Sequence, residues 1–199
     1  MNLQYLFEIQ AGLDAHIEEE HPRQEGEDRL AKKILALQVE LGELANEWRG
    51  FKFWKVNQQP VTFRQCDRCN GLGWYYIPVK NTNQHLGDKA TCDCVENPSN
   101  PLLEEYVDCL HFILSIGLEL GIREIPFRKI SRTDLVFVFS ELFEIASKLR
   151  NVHTRRSEYQ WLISEFVKLG EMLDFTWEQI EQAYLEKNKV NHERQVNGY

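Results

Sequence analysis

Two glutamates three residues apart, Glu40 and Glu43, interrupt the apolar run KKILALQVELGELANEW, and a second acidic pair, Glu105 and Asp108, interrupts LLEEYVDCLHFILSIGLEL. Residues three apart on a helix lie about 60° from one another around the axis, so each pair shares a face. The positions around Glu105 and Asp108 are mostly apolar (Leu102, Tyr106, Val107, Cys109, Leu110, Ile113). That is the pattern of a buried helix, so its carboxylates are expected to face inward or into a cleft. Were all four acids to converge, each like-charged pair at about 4 Å would cost roughly 4 kcal/mol at an effective dielectric of about 20. Such a cluster either takes up protons or binds cations. Oxygen donors without His or Cys favour magnesium or manganese over zinc. Paired magnesium ions would also clamp a polyphosphate and lower the pKa of a bound water. Single acidic pairs of this kind are common on solvated helix faces, so spacing alone leaves both readings open. Glu47 and Glu104, next to the pairs, are read as solvated or supporting.

Two further groups of residues have chemistry in their spacing. Near the end of the sequence, in YLEKNKVNHERQVNGY, Lys187, Asn191 and Arg194 are four and three apart and line one helix face. A point charge, an amide and a guanidinium fork in a row suit phosphate oxygens. An ordinary polar helix end, with cations favoured by the dipole, is the simpler reading on composition alone. The other group is cysteine. Of five cysteines, Cys66, Cys69, Cys92 and Cys94 cluster, and Cys109 stands apart. Cys66-x2-Cys69 followed by NGLGW has the form of a zinc knuckle, in which thiolates converge on one tetrahedral ion and glycines allow the tight turn. Cys92-x-Cys94 is a less usual second half, and His85 is an alternative ligand. Unmetallated thiols and a redox pair are the competing readings. An odd count does not suggest a disulfide framework.

The elements that must position these residues are helices. Apolar positions recur at helical spacing over 3–20, 27–49, 101–120, roughly 132–150, 156–173 and 176–196. Pro101 opens the third helix and Gly121 ends it. Ser131-x-x-Asp134 predicts a capping box for the fourth, and Thr176 with Gln179 predicts one for the sixth. This is an all-α bundle of about six helices. Residues 55–100 break the pattern, with clustered turn formers and a short aromatic strand in GWYYIPVK, and read as a small inserted cysteine-rich module. The 199 residues allow one domain with a good core plus that insert. The net charge of −8 argues against a general nucleic-acid or acidic-membrane surface, but not against a nucleotide whose charge a cation neutralises. Neither a membrane span nor a secretory signal is visible, and a cytoplasmic location is expected.

Taken together, four segments resemble the dimeric all-α dUTP diphosphatases of the MazG-type nucleotide pyrophosphatase superfamily. They are LFEIQAGLDAHIEEEHP, GEDRLAKKILALQVELGELANEWRGFKFW, LLEEYVDCLHFILSIGLELG and AYLEKNKVNHERQVNGY. The resemblance implies an NTP pyrophosphatase domain built from 1–54 and 101–199, working as a homodimer. It implies that Glu40, Glu43, Glu105 and Asp108 bind magnesium, with Glu40 and Glu43 catalytic and Glu40 also positioning the attacking water. Lys187, Asn191 and Arg194 would hold phosphates. Gln10 would lie near the uracil. Asp14 falls where some relatives have Asn, and Phe51 and Trp54, with Trp48 and Phe53, would wall the nucleoside. The implied reaction is water attack on dUTP, giving dUMP and pyrophosphate and limiting the dUTP pool. His111 is expected to be structural. Ordinary members have a short link where 55–100 lies, so a structural zinc held by Cys66, Cys69, Cys92 and Cys94 is a departure from the family. One rival keeps the chemistry but changes the base, to dCTP or a modified nucleotide. Another is a non-enzymatic, zinc-bearing helical adaptor for nucleic acid or protein.

Overall fold

The structure is a computed structural model that describes residues 2–77, 87–95, 98–123 and 131–198. Six α-helices make up the described fold: α1 (Leu3–Glu20), α2 (Arg29–Trp48), α3 (Pro101–Glu119), α4 (Leu135–Lys148), α5 (Arg155–Met172) and α6 (Trp177–Val196). Between α2 and α3 lies a two-stranded antiparallel hairpin, β1 (Trp74–Tyr76) and β2 (Lys89–Thr91), with Trp74 opposite Thr91. A single 3₁₀ turn follows at Asp93–Val95. None of the described helices is long and apolar enough to cross a membrane.

The helix boundaries follow from local chemistry. Asn2, Asp28 and Asn100 each accept a backbone N–H three residues on, supplying an acceptor to the otherwise unpaired first turns of α1, α2 and α3. Pro101 follows its cap directly, where a missing N–H costs nothing. The Thr176–Gln179 capping box forms in full. The box expected at Ser131 does not. Asp134 itself is the cap, accepting from Val136 and Phe137, so α4 begins at Leu135. Beyond the end of α3, Gly121 takes φ of +67°, a conformation open to glycine at little cost.

Helix α3 is the centre of the molecule, packed against α1, α2, α5 and α6. Twelve of its nineteen residues are buried, so it meets protein on nearly every side. Burying that helix also buries two phenols on its neighbours and itself, and each finds a carbonyl. Tyr106 donates to the Phe166 carbonyl at 3.1 Å, and Tyr159 donates to the Ile113 carbonyl at 2.9 Å. Tyr159 packs so closely that a Cβ at Gly117 would collide with its hydroxyl and lie 2.9 Å from Phe7 Cε1. Gly117→Ala is therefore expected to destabilise the fold by about 1–3 kcal/mol through overpacking, despite alanine's better helix propensity. Urea denaturation of the variant checks this, and a stability equal to or above that of the parent would contradict the packing.

Candidate functional site

The apolar stripe of α2 (Ile34, Leu37, Leu41, Leu44, Trp48) seats against α3 and turns the polar edge of each helix toward a shared groove. Carboxylate oxygens of Glu40, Glu43 and Glu105 meet there, all within 4.8 Å of one another. Glu43 is exposed, while Glu40 and Glu105 are half-buried. Burial first, then the Asp108 and Glu43 charges, push Glu40 up to about 7. The same causes, with Glu40 added, push Glu105 up to about 7. A cluster that resists ionising in this way, with oxygen donors only, fits a hard divalent cation such as magnesium.

Asp108, the fourth acid, is not one of that group of three, although its charge acts on both Glu40 and Glu105. Its Oδ2 accepts from Lys187 Nζ at 2.6 Å, which ties α3 to α6. Burial still raises its pKa, against the pull of Lys187 and Arg194. Lys187, Asn191 and Arg194 lie along one face of α6, with the Arg194 guanidinium 3.4 Å from Asn191 Oδ1. All three line a cavity of about 700 Å³ that Glu40 and Asp108 also border. That volume is in the range of small-molecule sites.

The opposite wall of the cavity is a fixed polar network from α1, α3 and α6. The Gln10 carbonyl oxygen accepts from Tyr184 at 2.5 Å and from His111 Nδ1 at 2.8 Å, which sets the amide's orientation. Gln10 Nε2 then donates to Asp14 Oδ1 at 2.7 Å. Asp14 Oδ2 accepts from Ser115 at 2.6 Å and from Lys33 at 3.2 Å. His111 stacks on Tyr184 at 4.0 Å, and burial pulls its pKa down to about 3, so the ring is neutral. With Nδ1 donating to an oxygen, Nε2 is a bare acceptor. It is buried without a partner among the described residues, on a residue that lines the cavity. His111 thus supports Gln10, as expected of a structural residue, and also offers a lone pair.

Some placements differ from expectation. Phe51 and Trp54 do not line this cavity. They are exposed, and Trp54 meets Phe51 and Phe53 edge to face at 5.8 and 5.1 Å. From Glu40 the rest of α2 carries the chain about 12 Å onward before these rings begin. Trp48 belongs to the core, stacked on Phe139 at 5.1 Å. Lys33 and Ser115, by contrast, border the cavity and were not singled out from the sequence. Each lies seven residues from a predicted site acid, Lys33 from Glu40 and Ser115 from Asp108. Two helical turns return a side chain to the same face, and that spacing was the available signal.

The other cluster is the thiols. Cys66 and Cys92 have Sγ atoms 3.7 Å apart, Cys69 and Cys94 3.4 Å, and all four lie within 4.8 Å of one another. None is in a disulfide. Four thiols in such a group match the donor set of a structural zinc site. Cys109 is buried in α3 and takes no part. His85, the alternative ligand, lies outside the described residues.

No curated protein matches the chain. A family model described as dUTPase matches residues 2–66 and 93–199, which include every described cavity residue and both carboxylate pairs. The chain belongs to the dUTPase family, and is by that membership a hydrolase of dUTP.

Proposed function

We propose that the chain hydrolyses dUTP to dUMP and pyrophosphate, with magnesium held by Glu40, Glu43, Glu105 and Asp108. The observation behind this reading is the convergence of three carboxylates beside a cavity whose other walls offer cations and a fixed polar network. Bound there, magnesium would neutralise triphosphate charge and lower the pKa of a bound water. The protein's own groups do the rest. Glu40 orients the attacking water. Lys187 and Arg194 hold phosphate oxygens, with Asn191 as an orienting donor, so catalysis rests on positioning and charge. Gln10, its carbonyl already engaged, has a further amide N–H for a uracil carbonyl, and His111 Nε2 accepts from a base N–H. The same reading includes a homodimer in the cytoplasm, for which Leu35 and Val39 on α2 and Val136 and Phe137 on α4 offer exposed apolar surface. The four insert thiols hold a structural zinc.

Asp14 favours a second reading of the base. A carboxylate only accepts, so an amino-bearing pyrimidine such as the cytosine of dCTP also finds a partner there. Comparing kcat/KM across deoxynucleoside triphosphates decides between them. A dUTP preference above about ten-fold, or 1.4 kcal/mol, retires the cytosine reading.

Glu43 is exposed and makes no core contact, so Glu43→Gln is expected to fold normally yet lose about 100-fold or more in kcat. Pyrophosphate release from dUTP, measured alongside thermal melting, is the check. A folded parent that releases none, or a fully active variant, would overturn the reading.

Titration gives an independent test of the cation site. Glu40 and Glu105 hold their protons more tightly folded than unfolded. Their contribution to stability is therefore complete below the unfolded carboxyl range and is lost as pH rises through about 7. Without magnesium, Tm is expected to be lower at pH 8 than at pH 5. Magnesium binds the ionised form, so it should raise Tm at pH 8 and much less at pH 5. Equal magnesium stabilisation at both values would count against these ligands.

A further inference from the structure

The segment matched to the dUTPase family stops at Cys66 and resumes at Asp93, leaving 67–92 as an insertion in the connection between the two carboxylate helices. The thiol cluster sits at that seam. Cys66 and Cys94 lie in the matched stretches, and Cys69 and Cys92 lie just inside the two ends of the insertion. Each close pair joins one side of the insertion to the other, Cys66 to Cys92 at 3.7 Å and Cys69 to Cys94 at 3.4 Å.

From the seam, a ladder of backbone hydrogen bonds runs to both helices. Arg64 N–H donates to the Ser99 carbonyl at 3.2 Å, Leu102 N–H to Val61 at 3.1 Å, and Val61 N–H to Glu47 at 2.9 Å. The Arg64 guanidinium also lies 3.5 Å from Glu47, and Ser99 Oγ donates to Glu104 at 2.8 Å. Glu47 is one turn beyond Glu43, and Glu104 adjoins Glu105. The end of α2 and the start of α3 are therefore tied through the residues flanking the thiols.

An insertion in this connection lengthens the loop that must close before the carboxylates can meet, and closing a longer loop costs more chain entropy. One ion shared by four thiolates closes it again, as a crosslink does. We propose that a zinc ion held by Cys66, Cys69, Cys92 and Cys94 re-closes the α2–α3 connection, and that zinc occupancy sets how tightly Glu40, Glu43 and Glu105 bind a divalent cation. This rests on the magnesium site proposed above, but it is read without any nucleotide. The insert acts through helix placement and touches neither substrate nor the reacting atoms.

The test is a manganese titration of the full chain, followed by electron paramagnetic resonance, with zinc counted by atomic emission. Zinc-loaded protein should carry one zinc per chain. Stripped of zinc by a chelator and dialysed, it should keep its helical circular dichroism while binding manganese about ten-fold more weakly, and one equivalent of zinc should restore the affinity. A variant lacking 67–92, with Cys66 joined to Asp93 through two glycines, should bind manganese as tightly as zinc-loaded protein with no zinc present. That variant also decides the matter if stripping unfolds the parent. Absence of zinc, paired disulfides in its place, manganese affinity indifferent to zinc, or weak binding by the rejoined variant would each overturn the proposal. Zinc-dependent manganese binding in a chain that does not cleave dUTP would instead overturn only the assigned reaction. Cleavage of dUTP with zinc-independent manganese affinity would overturn only the clamp.

Discussion

The carboxylates of Glu40, Glu43 and Glu105 repel one another, and the packing of α2 on α3 brings them together regardless. One like-charged pair at contact costs roughly 4 kcal/mol at an effective dielectric of about 20. Fully burying a leucine returns about 2 kcal/mol, and Leu37, Leu41 and Leu44 on α2 alone are completely buried. Apolar burial therefore wins, and the repulsion is left as a property of the groove. Burial first, and then that repulsion, push Glu40 and Glu105 up to about 7. Every other feature of the site is arranged around that tension.

Lys187 and Arg194 of α6 stand across the cavity from Glu40, with Lys187 holding Asp108 and both cations opposing the rise that burial gives its pKa. The cavity thus sets Glu40 and Asp108 against the α6 cations, with Lys33 of α2 as a further cation in its lining. A triphosphate chelating a divalent ion has the complementary pattern, positive at the metal and negative at the phosphate oxygens. An overall charge of −8 is no obstacle to binding it, because the local field matters at contact distances and distant surface charge is screened within about 10 Å.

How much of this was legible in the sequence depended on the range of the interaction that decides it. Helix positions were legible, because periodicity and caps are set within a few residues, and α3 and α6 begin where Pro101 and Thr176 suggest. The start of α4 was misplaced because two acceptors, Ser131 and Asp134, competed for one role. The thiol cluster was legible in its spacing, and the spacing of the acid pairs left open a convergence that the structure gives to Glu40, Glu43 and Glu105. The Gln10 hub was only partly so. Its partners His111 and Tyr184 lie 101 and 174 residues away, and no local pattern says that α1, α3 and α6 share a face. The aromatic run after α2 lies outside the lining of the cavity, and its rings pack edge to face on one another.

The hub explains why a neutral histidine sits beside so many charges. His111 is held next to Tyr184 and close enough to Lys187 for that cation to lower its pKa further. A protonated ring there would be a buried charge beside an ammonium. Remaining neutral, it donates once to Gln10 and leaves Nε2 as an acceptor. Gln10 is fixed in turn, since its carbonyl already takes two donors, and its amide can only donate toward Asp14 and the cavity. The polarity of this wall of the cavity therefore depends on which ring nitrogen holds a proton: burial keeps the ring neutral, and the bond to the Gln10 carbonyl places the proton on Nδ1.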